Sequence, residues 1–258
     1  MEVHHHSHTS DPDSHRGRKK WTHYLWEFLM LFLAVFCGFL AENEREHLVE
    51  KKRERQYMMS MLADLKADTA EVNRQLLLVN QYLNPVLKKS IELLYHQNYS
   101  DSVIREMYDT VPKSTRFFSI AFQNNTATQL KNSGNLRLIR HKEITDSLAR
   151  YWAECDYLIN PQLASYELTR IKSKELVFSL FNLSYFENNS LIEPLRKNIS
   201  LKLMSNDEIQ YFILGNHLSN LLTQLSPQLS GSIFKRLKTI YEKASALILL
   251  IQREYHLE

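Results

Sequence analysis

Residues that break helices are scarce in this sequence, which has only 5 glycines and 6 prolines in 258 residues. An ordinary protein uses about 7% glycine and about 5% proline. A fold of many short strands joined by tight turns needs more of both, so their scarcity favours long helices. Apolar residues make up 44% of the chain, which is enough to bury a core. We therefore predict an all-α fold.

Several kinds of functional site are also missing. The 2 cysteines, Cys37 and Cys155, provide neither a disulfide framework nor a cysteine-based zinc motif. No two glycines have the spacing of a phosphate-binding loop, and neither an HExxH motif nor an EF-hand occurs. The net charge of +3 is too small to indicate a nucleic-acid partner. We predict no catalysis, no cofactor and no nucleic-acid binding.

The N-terminal tail, residues 1–20, is rich in histidine and basic residues. Its imidazoles are weak candidates for binding a transition metal. A flexible tail has no preorganised geometry, so a disordered cytoplasmic tail or an expression-tag remnant is the stronger interpretation. The weak metal candidates are His4, His5, His6 and His8.

An apolar run extends from Leu25 to Ala41, and its 17 residues approach the length that crosses a bilayer. Trp21 and Trp26 mark one end, where aromatic rings favour the headgroup layer. Apolar side chains surround the whole helix, which argues against an amphipathic core helix. A cleaved signal peptide is the other alternative, but Glu27 and the lack of small residues before Ala41 argue against it. We predict a permanent transmembrane helix over residues 21–41.

The orientation of this helix is predicted from its flanking charges. Four basic residues directly precede the helix, whereas only Arg45 lies equally close on the other side. The positive-inside rule then places the N-terminus in the cytoplasm and exports the C-terminal domain. We predict a single-pass protein of the bacterial inner membrane. The four residues are Arg16, Arg18, Lys19 and Lys20.

One face of the predicted transmembrane helix combines a carboxylate with the smallest side chains. Small residues four apart allow two helices to approach closely in lipid, and a charge within the membrane is a functional candidate. We predict that this face meets a second copy or a partner membrane protein. The alternative is that Glu27 lies at the shallow interface, beside His23. The face consists of Glu27, Leu31, Ala34, Gly38 and Ala41.

Residues 42–84 continue the helix and carry a heptad pattern, which is typical of a coiled coil or a helix bundle. Two interpretations are open: a stalk that joins copies of the chain in a parallel oligomer, or one arm of a helix bundle within the same chain. Pro85 then ends or kinks the helix. The seam consists of Met58, Leu62, Leu65, Thr69, Val72, Leu76, Val79 and Leu83.

Residues 85–258 are predicted to form an α-helical bundle domain. We expect helices over 85–96, 102–110, 116–132 and 142–159, and from Pro161 to about Asn182. A capping box at Ser205–Glu208 opens the next helix, to about Leu225, and a last helix covers about 232–256. The one plausible strand is Leu136 to Ile139. Cys155 falls on an apolar helical face, which indicates an inert core thiol.

Several stretches resemble a family of bacterial single-pass membrane proteins with a domain of unknown function. They are the start MEVHHHSH, the block KKW followed by EFLMLFLAVFCGFLAENEREH, the stalk EKKRERQY and, more loosely, residues 130–139. The resemblance is specific over about residues 1–60. It implies a single-pass anchor and supplies no activity and no catalytic residue.

Two functions from different classes fit these features. The first is a membrane-anchored interaction or sensory-type module, whose helical domain binds a partner or ligand and whose stalk transmits a signal or oligomerises. The second is an accessory subunit of an ion-coupled or envelope membrane complex that uses Glu27, by analogy with such subunits. An enzyme with an unrecognised site is the least favoured interpretation.

Overall fold

The computed structural model describes residues 16–95, 100–181 and 208–257. The chain divides into two compact units, Met1–Glu54 and Arg55–Glu258. Every regular element among the described residues is helical, which confirms the predicted all-α fold. Helix α1 (Arg16–Leu78) forms the described part of the first unit and supplies the first helix of the second.

Seven further α-helices lie in the described part of the second unit. They are α2 (Asn84–Leu94), α3 (Asp101–Thr110), α4 (Asn125–Asn132), α5 (Lys142–Tyr157), α6 (Ala164–Leu180), α7 (Glu208–Pro227) and α8 (Phe234–Tyr255). Three π-helical turns join consecutive helices: π1 (Val79–Leu83), π2 (Leu158–Leu163) and π3 (Gln228–Ile233). Two short 3-10 helices cover Val111–Thr115 and Asn135–Leu138.

Most predicted helices have observed counterparts within a few residues. Gly134 adopts a left-handed conformation with φ of 67° after α4, which is the conformation that a glycine at a helix C-terminus provides. The predicted capping box begins at Ser205, and residues 205–207 lie outside the described part of the chain.

Two predictions about local structure are wrong. Residues 116–124 are not helical, although we predicted a helix over 116–132, and α4 begins only at Asn125. Phe118, Ile120 and Phe122 alternate into the core instead, with the period of two that an extended segment gives. The predicted strand at Leu136 to Ile139 is a 3-10 helix with no neighbouring strand among the described residues.

The heptad seam of α1 is buried within its own chain. Met58, Leu65 and Val72 have no exposed surface, and they belong to one hydrophobic core with residues from α5 to α8. The seam therefore forms an arm of the bundle, as the second of the two interpretations predicted. The second unit begins at Arg55, so the predicted stalk boundary at residue 84 falls inside this unit.

The longer helices of the domain pack in two groups. Helix α5 packs against α8, while α2 and α6 both pack against α7. Helix α1 is held to α8 by Arg55, whose Nη1 donates to the main-chain oxygen of Tyr255 at 2.9 Å. The stripe predicted for the last helix is buried. Its first residue, Ile233, lies in π3, and the others lie in α8: Leu237, Ile240, Ala244, Leu247 and Ile251.

Candidate functional site

The apolar part of α1 is exposed along its entire length. An 18-residue window in this helix has a mean hydropathy of 2.0, and none of it is buried. Exposed Phe, Leu and Val side chains of this kind are unfavourable in water, because burying apolar area contributes about 25 cal/mol per Å². The helix is therefore long and apolar enough to cross a membrane.

The predicted small-residue face of this helix is exposed. A Cβ added at Gly38 would meet nothing within 4 Å, and Ala34 and Ala41 are exposed. The Glu27 carboxylate lies 3.0 Å from Nε2 of His23, one turn earlier. This pairing matches the alternative interpretation of Glu27, in which His23 lies beside it at the interface.

The opposite face of the same helix carries a ladder of large aromatic rings. The rings of Phe28 and Phe32 stack with centroids 6.4 Å apart, and those of Phe32 and Phe36 with centroids 5.9 Å apart. At about 100° per residue, Phe36 lies roughly opposite Ala34 on the helix. The side with Ala34, Gly38 and Ala41, here called the smooth face, carries smaller side chains than the aromatic face, so a second helix can approach it more closely.

Inside the domain, a buried carboxylate joins three separate parts of the chain. Asp68 of α1 is 2% exposed. Its Oδ2 accepts a hydrogen bond of 2.6 Å from the Tyr151 hydroxyl of α5, and its Oδ1 accepts one of 2.8 Å from the main-chain N–H of Gln123. Asp68 therefore fixes both α5 and the extended segment 116–124 against α1.

Burial makes the charged form of this carboxylate less favourable than it is in water. Burial raises the pKa of Asp68 above its usual value, the two donated hydrogen bonds oppose this, and the charge of Asp64 one turn earlier adds to it. The pKa of Tyr151 is raised, chiefly by burial, so its hydroxyl remains a donor. The cluster positions three segments of the chain through two hydrogen bonds.

The thiol of Cys155 lies beside this cluster on α5 and is 5% exposed. Burial raises its pKa to about 12, so the reactive thiolate is scarce at neutral pH. The prediction that Cys155 is a core thiol is confirmed by its burial. Sequence reasoning missed Asp68, because its partners lie 55 and 83 residues away.

A second polar cluster links α5 to α8. Glu154 accepts a hydrogen bond of 2.8 Å from Lys243 and a second, short one from Arg236. Both donors lower the pKa of Glu154, Lys243 more strongly. A groove of about 530 Å³ lies between the same helices. It is lined by apolar residues of α8 and by four charged ones, Glu143, Arg150, Lys243 and Arg253.

The histidines at positions 4–8 lie outside the described residues. Within residues 16–95, 100–181 and 208–257, no group of three or more His, Cys, Asp or Glu side chains is placed to hold a metal ion.

In comparisons with known proteins, the chain matches no family model, no curated protein and no solved structure. The resemblance of residues 1–60 to a bacterial membrane-protein family therefore stays a prediction.

Proposed function

We propose that this protein is a membrane-anchored interaction or sensory-type module without catalytic activity. Its helical domain binds a partner or ligand, and its membrane segment pairs with a second copy or with a partner membrane protein. One observation carries the proposal: α1 contains an apolar run with no buried residue and then continues into the hydrophobic core of the domain. A single helix therefore connects the anchor to the folded domain.

The proposed location is the bacterial inner membrane, with the N-terminus in the cytoplasm and the domain exported. The four basic residues before the apolar run support this orientation. We expect the intact chain to stay in the membrane pellet after a carbonate wash. Recovery of the intact chain in the supernatant would contradict the anchor.

The smooth face of the helix supports pairing of two copies, because small residues allow backbones to approach closely in lipid. Cysteine cross-linking tests this directly in native membranes. Cys37 is first changed to Ser, which leaves only the buried Cys155. A cysteine is then placed on the smooth face by Ala34→Cys, or on the aromatic face by Phe36→Cys as the matched control.

Under mild oxidation we expect a disulfide-linked dimer from Ala34→Cys and much less from Phe36→Cys. Equal cross-linking from both positions indicates random collision in the bilayer. Monomer from both positions shows that two copies do not pair through this face, which contradicts the homo-oligomer and leaves only the partner protein.

The second candidate, an accessory subunit of an ion-coupled or envelope complex, is favoured by the carboxylate that Glu27 exposes near the start of the apolar run. Glu27→Gln removes the charge and keeps the shape. In a knockout complementation assay this candidate predicts normal amounts of protein with lost function, whereas Glu42→Gln, just beyond the run, keeps function. Full function of Glu27→Gln would end this candidate.

A further inference from the structure

Three helices of the domain are interrupted at related sequences. Each sequence has an apolar residue, Asn or Ser, Pro, any residue and Leu: LNPVL at 83–87, INPQL at 159–163 and LSPQL at 225–229. Proline inside a helix lacks the N–H donor and clashes with a carbonyl of the preceding turn. Each of these positions therefore disturbs the regular ladder of helical hydrogen bonds.

A π-helical turn occurs at each of the three positions. In π1 the N–H of Asn84 donates to the oxygen of Val79, and after π3 the N–H of Phe234 donates to the oxygen of Leu229, both five residues back. Such turns hold one residue more than an α-helical turn and are frequent at functional sites. Because π3 contacts both π1 and π2, the three turns form one layer across the domain, here called the π-layer.

The π-layer is polar but uncharged. Residues 79–87, 157–166 and 209–234 contain no Asp, Glu, Lys or Arg, although these types make up 24% of the chain. Each of these three segments also contributes one buried amide oxygen without a hydrogen-bond partner: Asn84 Oδ1, Gln162 Oε1 and Gln228 Oε1. Burial of an amide oxygen without a donor is unfavourable, so this arrangement weakens the layer relative to an apolar one.

The same layer separates two sets of helix contacts. On one side α5 packs against α8, and Asp68 and Glu154 add hydrogen bonds. On the other side α2 and α6 pack against α7, and Arg170 of α6 donates to the oxygen of Thr115. These hydrogen bonds thus lie within the two halves of the domain. At the layer, the contacts of charged side chains are cation–π contacts, from Arg116 to the Tyr82 ring at 5.3 Å and from Arg236 to the Tyr157 ring at 4.5 Å.

We propose that the π-layer is the conformational joint of the domain, at which its two halves bend relative to one another. The missing proline N–H donor and the wider π-helical turn make each of the three positions easier to bend than a regular helix. No ion pair within the layer has to break for this change. The joint lies in the folded domain alone, so it does not depend on the proposed membrane role.

Hydrogen exchange on the full chain in detergent tests the joint. We expect the amides of the buried π-turn residues Val79, Leu158 and Leu229 to exchange at least about tenfold faster than those of Leu148 and Leu237, which are equally buried in unbroken helices. Equal protection of the π-layer and these helices would overturn the proposal.

Substitution of the unpaired amides gives a second test. Gln162→Met and Gln228→Met remove a buried oxygen at nearly constant size, so we expect a rise in Tm of roughly 2–10 °C and slower exchange in the layer. Gln224→Met, at an exposed position of α7, is the matched control and changes neither quantity. A fall in Tm for both layer variants shows that these amides are paired in solution and refutes the unpaired layer.

Deletion of one residue tests whether the additional residue of the π1 turn can be removed. Deletion of exposed Gln81 removes the extra residue of π1 while both flanking helices keep their faces, so we expect a folded protein with slower exchange in the layer. Deletion of exposed Ala149 within α5 turns all following core residues by about 100° and should unfold the domain. Equal damage from both deletions would contradict a removable residue at π1.

Discussion

The two hydrogen bonds that Asp68 accepts allow us to predict how much stability is lost when its carboxylate is removed. Asp68→Ala leaves the buried Tyr151 hydroxyl without an acceptor, which costs about 1–3 kcal/mol, and removes the part-buried hydrogen bond from the Gln123 N–H to the carboxylate, which is worth about 1.5–3 kcal/mol. We expect the free energy of unfolding to fall by about 2–6 kcal/mol. For a domain of this size, that corresponds to a Tm lower by roughly 4–20 °C.

Asp68→Asn is the matched control, because its amide oxygen still accepts one hydrogen bond while the negative charge is removed. We expect a smaller loss, about 1 kcal/mol near neutral pH, since the buried charge itself was unfavourable. Tyr151→Phe removes one donor and leaves the Gln123 hydrogen bond, so its loss should lie between those of Asp68→Asn and Asp68→Ala.

The pH dependence separates the charge from the hydrogen bonds. The pKa of Asp68 is raised by folding, so its contribution to stability is fully present below the unfolded value of 3.8. That contribution is lost as the pH rises through the higher folded pKa. In thermal unfolding of the full chain in detergent, the Tm difference between wild type and Asp68→Asn should therefore shift in favour of Asp68→Asn as the pH rises from 4 to 7. A difference that is constant over this range would refute the argument from burial.

Two other ionic contacts give further predictions. Arg170, which is 7% exposed, donates to Glu167 and to the oxygen of Thr115 at 2.9 Å, so Arg170→Gln should lower the free energy of unfolding by about 2–3 kcal/mol in denaturant titrations. No change in the denaturation midpoint would contradict this tether. The pKa of Glu154 is lowered below 4.5, so its stabilisation is present above pH 4.5 and is lost as the pH falls through the folded pKa. Glu154→Gln should therefore cost stability at pH 7 and little at pH 3, which is the opposite trend to that of Asp68.

The sequence predicted the helices well where the spacing of apolar residues agreed with the positions of helix-ending residues. Every residue of the stripe predicted for the last helix is buried, and Gly134 ends α4 as expected. The extended segment 116–124 was missed, although Phe118, Ile120 and Phe122 alternate with exposed residues in a readable period of two. We expected a helix there, and the decisive contact, Gln123 to Asp68, joins residues far apart in the chain.

Pro161 and Pro227 were interpreted as helix boundaries and Pro85 as an end or a kink, whereas the folded chain continues past all three in π-helical turns. The sequence marks where a hydrogen bond must be lost, at Pro85, Pro161 and Pro227. It does not show whether the helix stops or continues, because that depends on whether the helices on both sides gain enough packing to offset the defect.

By itself, the sequence determined the helical class and the apolar run of α1, because both depend on composition and on neighbours within a few turns of one helix. Only the tertiary structure decided that the heptad seam packs within its own chain, that Asp68 is buried, and that three π-turns meet in one layer. The physical reason is the same in each case. A seam of apolar residues or a single carboxylate has the same local chemistry whichever surface it meets, and the free energy of burial depends on partners from distant parts of the chain.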